Sequence, residues 1–191
     1  MPEGLEIDLH EGLAWVSIVA FTMQRIRPRG MPAWTPLSNF HQVNVRTYVR
    51  NQDKTGVYFL SIEAGSRFAC MLARKLSVLP YRPAPISHAG DVYRSSSPNG
   101  ETIELRFHAG AAISGKTDLD RWLTERYALF QDTAGSLMRY ETHHAEWPLQ
   151  VCELIEWRRE QPPWPGLLGA WPDVLHYSPG VAVLAWEAQA C

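Results

Sequence analysis

Glu141 and His143 lie two residues apart in Leu137–His144, a stretch whose pattern predicts a strand. Residues at i and i+2 of a strand share a face, so a carboxylate would stand beside an imidazole and orient it as a base. The competing reading is a surface pair, or a core histidine with its hydrogen bonds satisfied. His144 would point to the opposite face from His143, so one metal ion cannot easily take both. A second set lies on Val43–Arg50, which alternates cleanly. Gln42, Asn44, Arg46 and Tyr48 share one face; Val43, Val45, Thr47 and Val49 share the other. If the polar face lines an interior, Arg46 would clamp a carboxylate or phosphate through two parallel N–H groups. If it meets water, the valine face packs the core. Glu63 is a further candidate carboxylate. Tyr81 and Arg82, within Pro80-Tyr81-Arg82-Pro83, would either bind a ligand or form a rigid corner.

These side chains need elements to place them. Leu13–Met23 reads as a strand, and Arg25–Phe40 as a long loop punctuated by Pro28, Gly30, Pro32 and Pro36. Val43–Arg50 and Val57–Ala64 form a hairpin around Asp53-Lys54-Thr55-Gly56. Ser66 caps a helix to about Leu79, with Phe68, Leu72, Leu76 and Leu79 as its apolar stripe. Pro80, Pro83 and Pro85 end it. Ile86–Arg94 and Thr102–Phe107 form another hairpin, turning at Pro98-Asn99-Gly100. Thr117 and Asp120 make a capping box for a helix through about Phe130. Leu137–His144, Leu149–Trp157 and Val181–Trp186 are strand-like, and Pro162–Pro172 holds one helical turn. The sum, about eight strands and two helices, predicts a mainly β (α+β) fold: an antiparallel barrel or strongly curved sheet with the helices outside.

Composition limits the functions on offer. The chain has 191 residues, 46% of them hydrophobic and 20% charged, which suits one globular domain and not a disordered chain. A formal charge of −2 argues against a nucleic-acid binder, so Arg25, Arg27 and Arg29 beside Trp34 read as a solvated loop. Cys70, Cys152 and Cys191 are widely spaced without a CxxC pattern, as expected of thiols in a reducing compartment. No spacing supports a metal site, and no cofactor is implied. The longest apolar run, Leu13–Met23, is about half of what a membrane span needs, and the start is acidic. The expected location is cytoplasmic, with no membrane partner.

Several segments in order carry more information: Gly12–Val16, Arg27–Pro32, Asn44–Val49, Gly56–Ser61, Leu79–Arg82, Leu123–Tyr127 and His143–Gln150. This series resembles the YqjF-like bacterial family, which is related to acetoacetate decarboxylase. The resemblance implies one domain over residues 1–191, folded as an antiparallel β-barrel with a central cavity. It implies no settled activity, since fold does not confer function. The His-Trp pair of the family's further N-terminal segment has no counterpart here, so the domain is expected to lack that segment.

Acetoacetate decarboxylase works through a neutral lysine that forms a Schiff base, set after a helix and a proline turn. The corresponding stretch, Leu79–Ala84, has no lysine; Arg82 stands there, and a guanidinium cannot act as the amine. The remaining lysines do not replace it. Lys54 lies in a turn, Lys116 precedes a helix cap, and Lys75 lies beside Arg74 before the prolines. The decarboxylase's glutamate aligns with Gln42, which cannot carry a proton. The expectation is therefore a cavity for a small organic, anionic molecule, with acid–base and not Schiff-base chemistry. Arg46 would anchor charge, Glu141 with His143 would move a proton, and Gln42, Asn44, Glu63, Tyr81 and Arg82 would line the site. The alternative is a binding or interaction module without catalysis, and a homo-oligomer fits either. A pocket of roughly 300 Å³ with convergent polar groups would favour the first reading; a surface apolar patch would favour the second.

Overall fold

Val, Ile, Thr and aromatic residues recur through the expected strands, and strands dominate the computed structural model, which describes residues 1–33, 38–97, 100–133, 135–160 and 166–191. In chain order the elements begin with β1 (Glu6–Ile7), β2 (Val16–Met23), β3 (Phe40–Asn51), β4 (Lys54–Ala64), α1 (Arg67–Leu76), β5 (Tyr81–Pro83) and β6 (Ile86–Ala89). There follow β7 (Val92–Ser96), β8 (Thr102–Ala112), α2 (Asp118–Thr124), β9 (Ala128–Thr133), β10 (Ser136–His144) and β11 (Gln150–Glu160). The last three are β12 (His176–Tyr177), β13 (Val183–Ala185) and β14 (Gln189–Ala190).

They pair into two sheets. The larger has nine strands, with the path β1-β3-β4-β9-β10-β13; β2 joins β3, β5 joins β4 and β14 joins β10. The smaller runs β12-β11-β8-β7-β6. These ladders do not close into a ring, so the barrel expected above is not seen in the hydrogen bonding. Side chains join the sheets instead: Val43, Ile18 and Ala20 of the larger pack with Tyr93, Ile103, Leu105 and Trp157 of the smaller. The Tyr93 hydroxyl crosses the gap and donates to the carbonyls of Phe21 and Gln42 at 2.9 and 3.0 Å.

β3 is covered on both faces, because β1, β2 and β4 flank it and packing lies above and below. Val43 and Val49 are in the core. Tyr48, on the opposite face, is 1% exposed and packs under α2 with Val57 and Leu123. A polar face meeting water and a polar face lining the interior were the two expectations; burial on both faces differs from the first. β4 reaches β9 because Gly56 has no side chain. A Cβ there would stand 2.4 Å from the Ala128 carbonyl oxygen, well inside contact distance.

The caps form as expected. The Ser66 hydroxyl accepts from the Ala69 N–H, and Thr117 with Asp120 makes a reciprocal capping box. Three expected elements change. The second helix ends at Thr124, and Ala128–Thr133 is a strand in which Ala128 and Phe130 are buried at period two. Ile86–Arg94 is a hairpin in itself, turning at Gly90 with φ +59°. The first helix ends at Leu76, and its stripe faces outward: Phe68, Leu72 and Leu76 are 49%, 40% and 75% exposed, while Cys70 is buried. The Pro98-Asn99 turn, Trp34 and the first part of the Pro162–Pro172 segment lie outside the described residues; in residues 166–172 the chain makes a turn at Gly166-Leu167 and no helix.

Candidate functional site

Between the sheets, the ends of β4 and β5 bring two oppositely charged side chains face to face. These strands are parallel, and Glu63 pairs with Arg82 across them. Glu63 is 7% exposed, a high-cost position for a carboxylate without partners. The Ser95 hydroxyl from β7 donates to its Oε2 at 2.8 Å. Arg82 Nη2 stands 3.9 Å from Glu63 Oε1 and 3.6 Å from Glu101 Oε2, both beyond hydrogen-bond distance. The guanidinium thus sits between two carboxylates without being locked to either. Val43, Val45, Ser61 and Ile103 complete the walls around Glu63 and Glu101. The enclosed space is about 10 Å³, room for one water and far short of the pocket the sequence reading asked for.

The expected site residues divide into four places. Glu63 and Arg82 meet in this cavity. Tyr81 is turned away from them, since it pairs with Ile62 and shares that residue's face; burial pushes its phenol up to about 12, with Cys70 adding to the shift. Gln42 and Asn44 are buried on the same far face, and their side-chain oxygens have no partner among the described residues. Arg46 is half-buried beside α2, its Nη2 donating to the Leu123 carbonyl at 3.3 Å and its guanidinium 5.8 Å from the Tyr48 ring. So the polar face of β3 does not line the cavity; the valine face does.

Glu141 and His143 share a face but not a contact. Lys54 and Arg139 hold the Glu141 carboxylate at 2.8 and 3.0 Å, while His143 is exposed with its ring 6.4 Å from that of Tyr127. The histidine the fold buries is His144. Its Nδ1 and Nε2 lie 2.8 and 3.3 Å from the carbonyl oxygens of Ala145 and Arg126.

A second polar centre joins segments far apart in sequence. Glu125 accepts from the Thr124 and Tyr127 hydroxyls and the Trp147 N–H at 3.1, 2.9 and 3.0 Å, with Lys116 at 3.5 Å. Burial pushes its carboxyl up, but these donors and the Lys116 charge outweigh that and hold it below the ordinary 4.5. Next to it, Arg126 pairs with Asp8 at 2.6 Å and stacks over Trp122 at 4.2 Å. Asp8, from the start of the chain, is the ion-pair partner the fold supplies to Arg126. Sequence reasoning missed Ser95 and Glu101 in the cavity. Neither carries a local signal, because only the sheet register brings them to Glu63.

The model of the DUF2071 family, described as an uncharacterized conserved protein, matches residues 1–182. The uncharacterized protein YqjF of Bacillus subtilis (strain 168) is 35% identical over 161 residues, covering 80% of this chain and 66% of the relative, so the chain spans less than two thirds of that protein. Among solved structures, acetoacetate decarboxylase from Legionella pneumophila superposes with a TM-score of 0.55 at 11% identity, covering all of this chain and 77% of the other. The enduracididine biosynthesis enzyme MppR complexed with pyruvate gives 0.53 at 9%, again over all of this chain and 77% of the other. At such identities the likeness is one of fold.

Proposed function

The chain belongs to the DUF2071 family, and from that premise we propose that it binds a small organic carboxylate at Glu63, Arg82 and Glu101. The observation that carries this reading is Arg82, poised between two carboxylates without a hydrogen bond to either. Arg82 also stands on the stretch that the resemblance marks as the amine-bearing one in the decarboxylase. An arginine there offers a fixed charge and a planar fork, and it cannot form a Schiff base. A ligand carboxylate would take Arg82 from Glu101. Glu63, held by Ser95, would accept or return a proton on the ligand. Arg82 is one-third exposed, so its side chain can swing outward to admit a molecule larger than the present space. The binding of pyruvate by a protein of like fold supports the size and charge of the ligand. Arg46, Gln42 and Asn44 stand elsewhere and are not needed for this role.

The test is a thermal-shift titration with pyruvate on the wild type and on Arg82→Gln. Stabilisation of the first and not the second supports the reading. Equal response, or none in the wild type, sinks it. Borohydride added to the pyruvate mixture should leave every lysine unmodified.

One observation favours the interaction-module reading as a second possibility. α1 presents Phe68, Met71, Leu72 and Leu76 to solvent, with Arg67, Arg74 and Lys75 and no acidic residue in the helix. An exposed apolar face of this kind marks a contact surface. Sedimentation of the wild type against Leu76→Glu checks it: a shift to smaller species in the variant supports self-association.

A further inference from the structure

A second cleft lies away from the Arg82 cavity. It has a volume of about 380 Å³, within the range of small-ligand sites. Ile113, Lys116, Arg121, Glu146, Trp147 and Gln150 line it. Two cations converge on a single oxygen there: Glu146 Oε1 is 3.0 Å from Lys116 Nζ and 3.6 Å from Arg121 Nε. Lys116 is built in, and Arg121, itself about half exposed, is anchored to it. The Lys116 side chain is only 9% exposed and is backed by Glu125, and Arg121 Nη1 donates to the Lys116 carbonyl at 2.8 Å. Glu146 is not built in. It is 56% exposed, and Lys116 keeps Glu125 as a second carboxylate partner, so releasing Glu146 leaves no buried charge unpaired. Its carboxylate occupies the place a ligand carboxylate would take. Half-buried Trp147 supplies an indole wall beside it for an apolar body.

We propose that this cleft is a second binding site, for an organic carboxylate with an aromatic or other flat apolar body. Glu146 holds the anion position until the ligand displaces it. The two cations bind the carboxylate, and the body lies along Trp147. The cleft shares no lining residue with the cavity around Glu63 and Glu101.

The probe is benzoate, followed by quenching of tryptophan fluorescence in the full chain. The wild type should bind with a Kd of about 1 mM or below. Arg121→Gln should weaken binding about tenfold, as loss of one charge-assisted bond implies. Glu146→Gln should tighten it severalfold, since the competing charge is gone. Trp147→Phe should remove the fluorescence change, and Arg82→Gln should leave binding as in the wild type, which separates this site from the other. Arg121 and Glu146 are about half exposed, so both variants should keep the fold, checked by circular dichroism. Sulfate should compete more weakly than benzoate. Absence of binding in both the wild type and Glu146→Gln would overturn the site, and so would binding indifferent to both charge variants. Sulfate binding as tightly as benzoate would overturn the assignment to an organic carboxylate.

Discussion

Glu63 and Glu125 are both mostly buried carboxylates facing a cation, and they are held in opposite ways. Two hydroxyls, a backbone N–H and the Lys116 ammonium surround Glu125, and Arg126 beside it is tied to Asp8 at 2.6 Å. Glu63 has one hydroxyl, and its cation stands 3.9 Å away, shared with Glu101. A carboxylate whose acceptor sites are filled contributes rigidity and has little left for a guest. One with spare acceptor capacity next to an unlocked guanidinium contributes less to stability and can exchange partners. The difference supports the proposal that Glu125 and Arg126 are scaffold and that a ligand binds in the inter-sheet cavity.

The sharpest test of that contrast is Asp8→Asn. It leaves the Arg126 charge uncompensated at a side chain 5% exposed, and the expected loss is about 3 kcal/mol, read from the urea midpoint at unchanged slope. Glu125→Gln comes next, at about 2 kcal/mol near neutral pH, from lost charge-assisted hydrogen bonds. Its pH dependence has a definite sign. The folded carboxyl sits below its ordinary 4.5, so its contribution is complete above that value and is lost as pH falls through the lower, folded value. Acidification should therefore destabilise the wild type more steeply than the variant. Arg82→Gln should cost about 1 kcal/mol or less, as a loose, part-exposed pair implies, yet abolish the response to pyruvate. If it costs as much as Asp8→Asn, the contrast fails and Arg82 is scaffold too. Smallest of all, His143→Ala should change stability by about 0.5 kcal/mol or less and leave the ligand response intact, because its ring is exposed.

Much of the local structure was legible in the residues. Ser66 and the Thr117/Asp120 box announce helix starts, because capping is settled within one turn of chain. The β3–β4 hairpin follows from alternation, but its turn is Gln52-Asp53 and not Asp53–Gly56, because Lys54, Thr55 and Gly56 already pair with β3. Where local signals competed, distant packing decided. The spacing of Leu119, Trp122, Leu123, Tyr127 and Phe130 fits a helix, but Phe130 reaches zero exposure only as part of a strand beside β4. Phe68, Leu72 and Leu76 form a true stripe on α1, yet this fold packs the helix on its Cys70 side.

The candidate site was half legible. Glu63 and Arg82 are of types that do chemistry, and each could be singled out alone. Their meeting, with Ser95 and Glu101 added, depends on the parallel register of β4 with β5 and on the second sheet closing over them. Choosing between His143 and His144 depends likewise on which face of β10 meets the segment after α2. By itself the sequence determined the strand-rich class, the helix starts and the family, since these rest on residue type and short spacing. Only the tertiary structure decided which faces are buried and which charges meet, because those contacts join residues far apart in the chain through sheet register and packing.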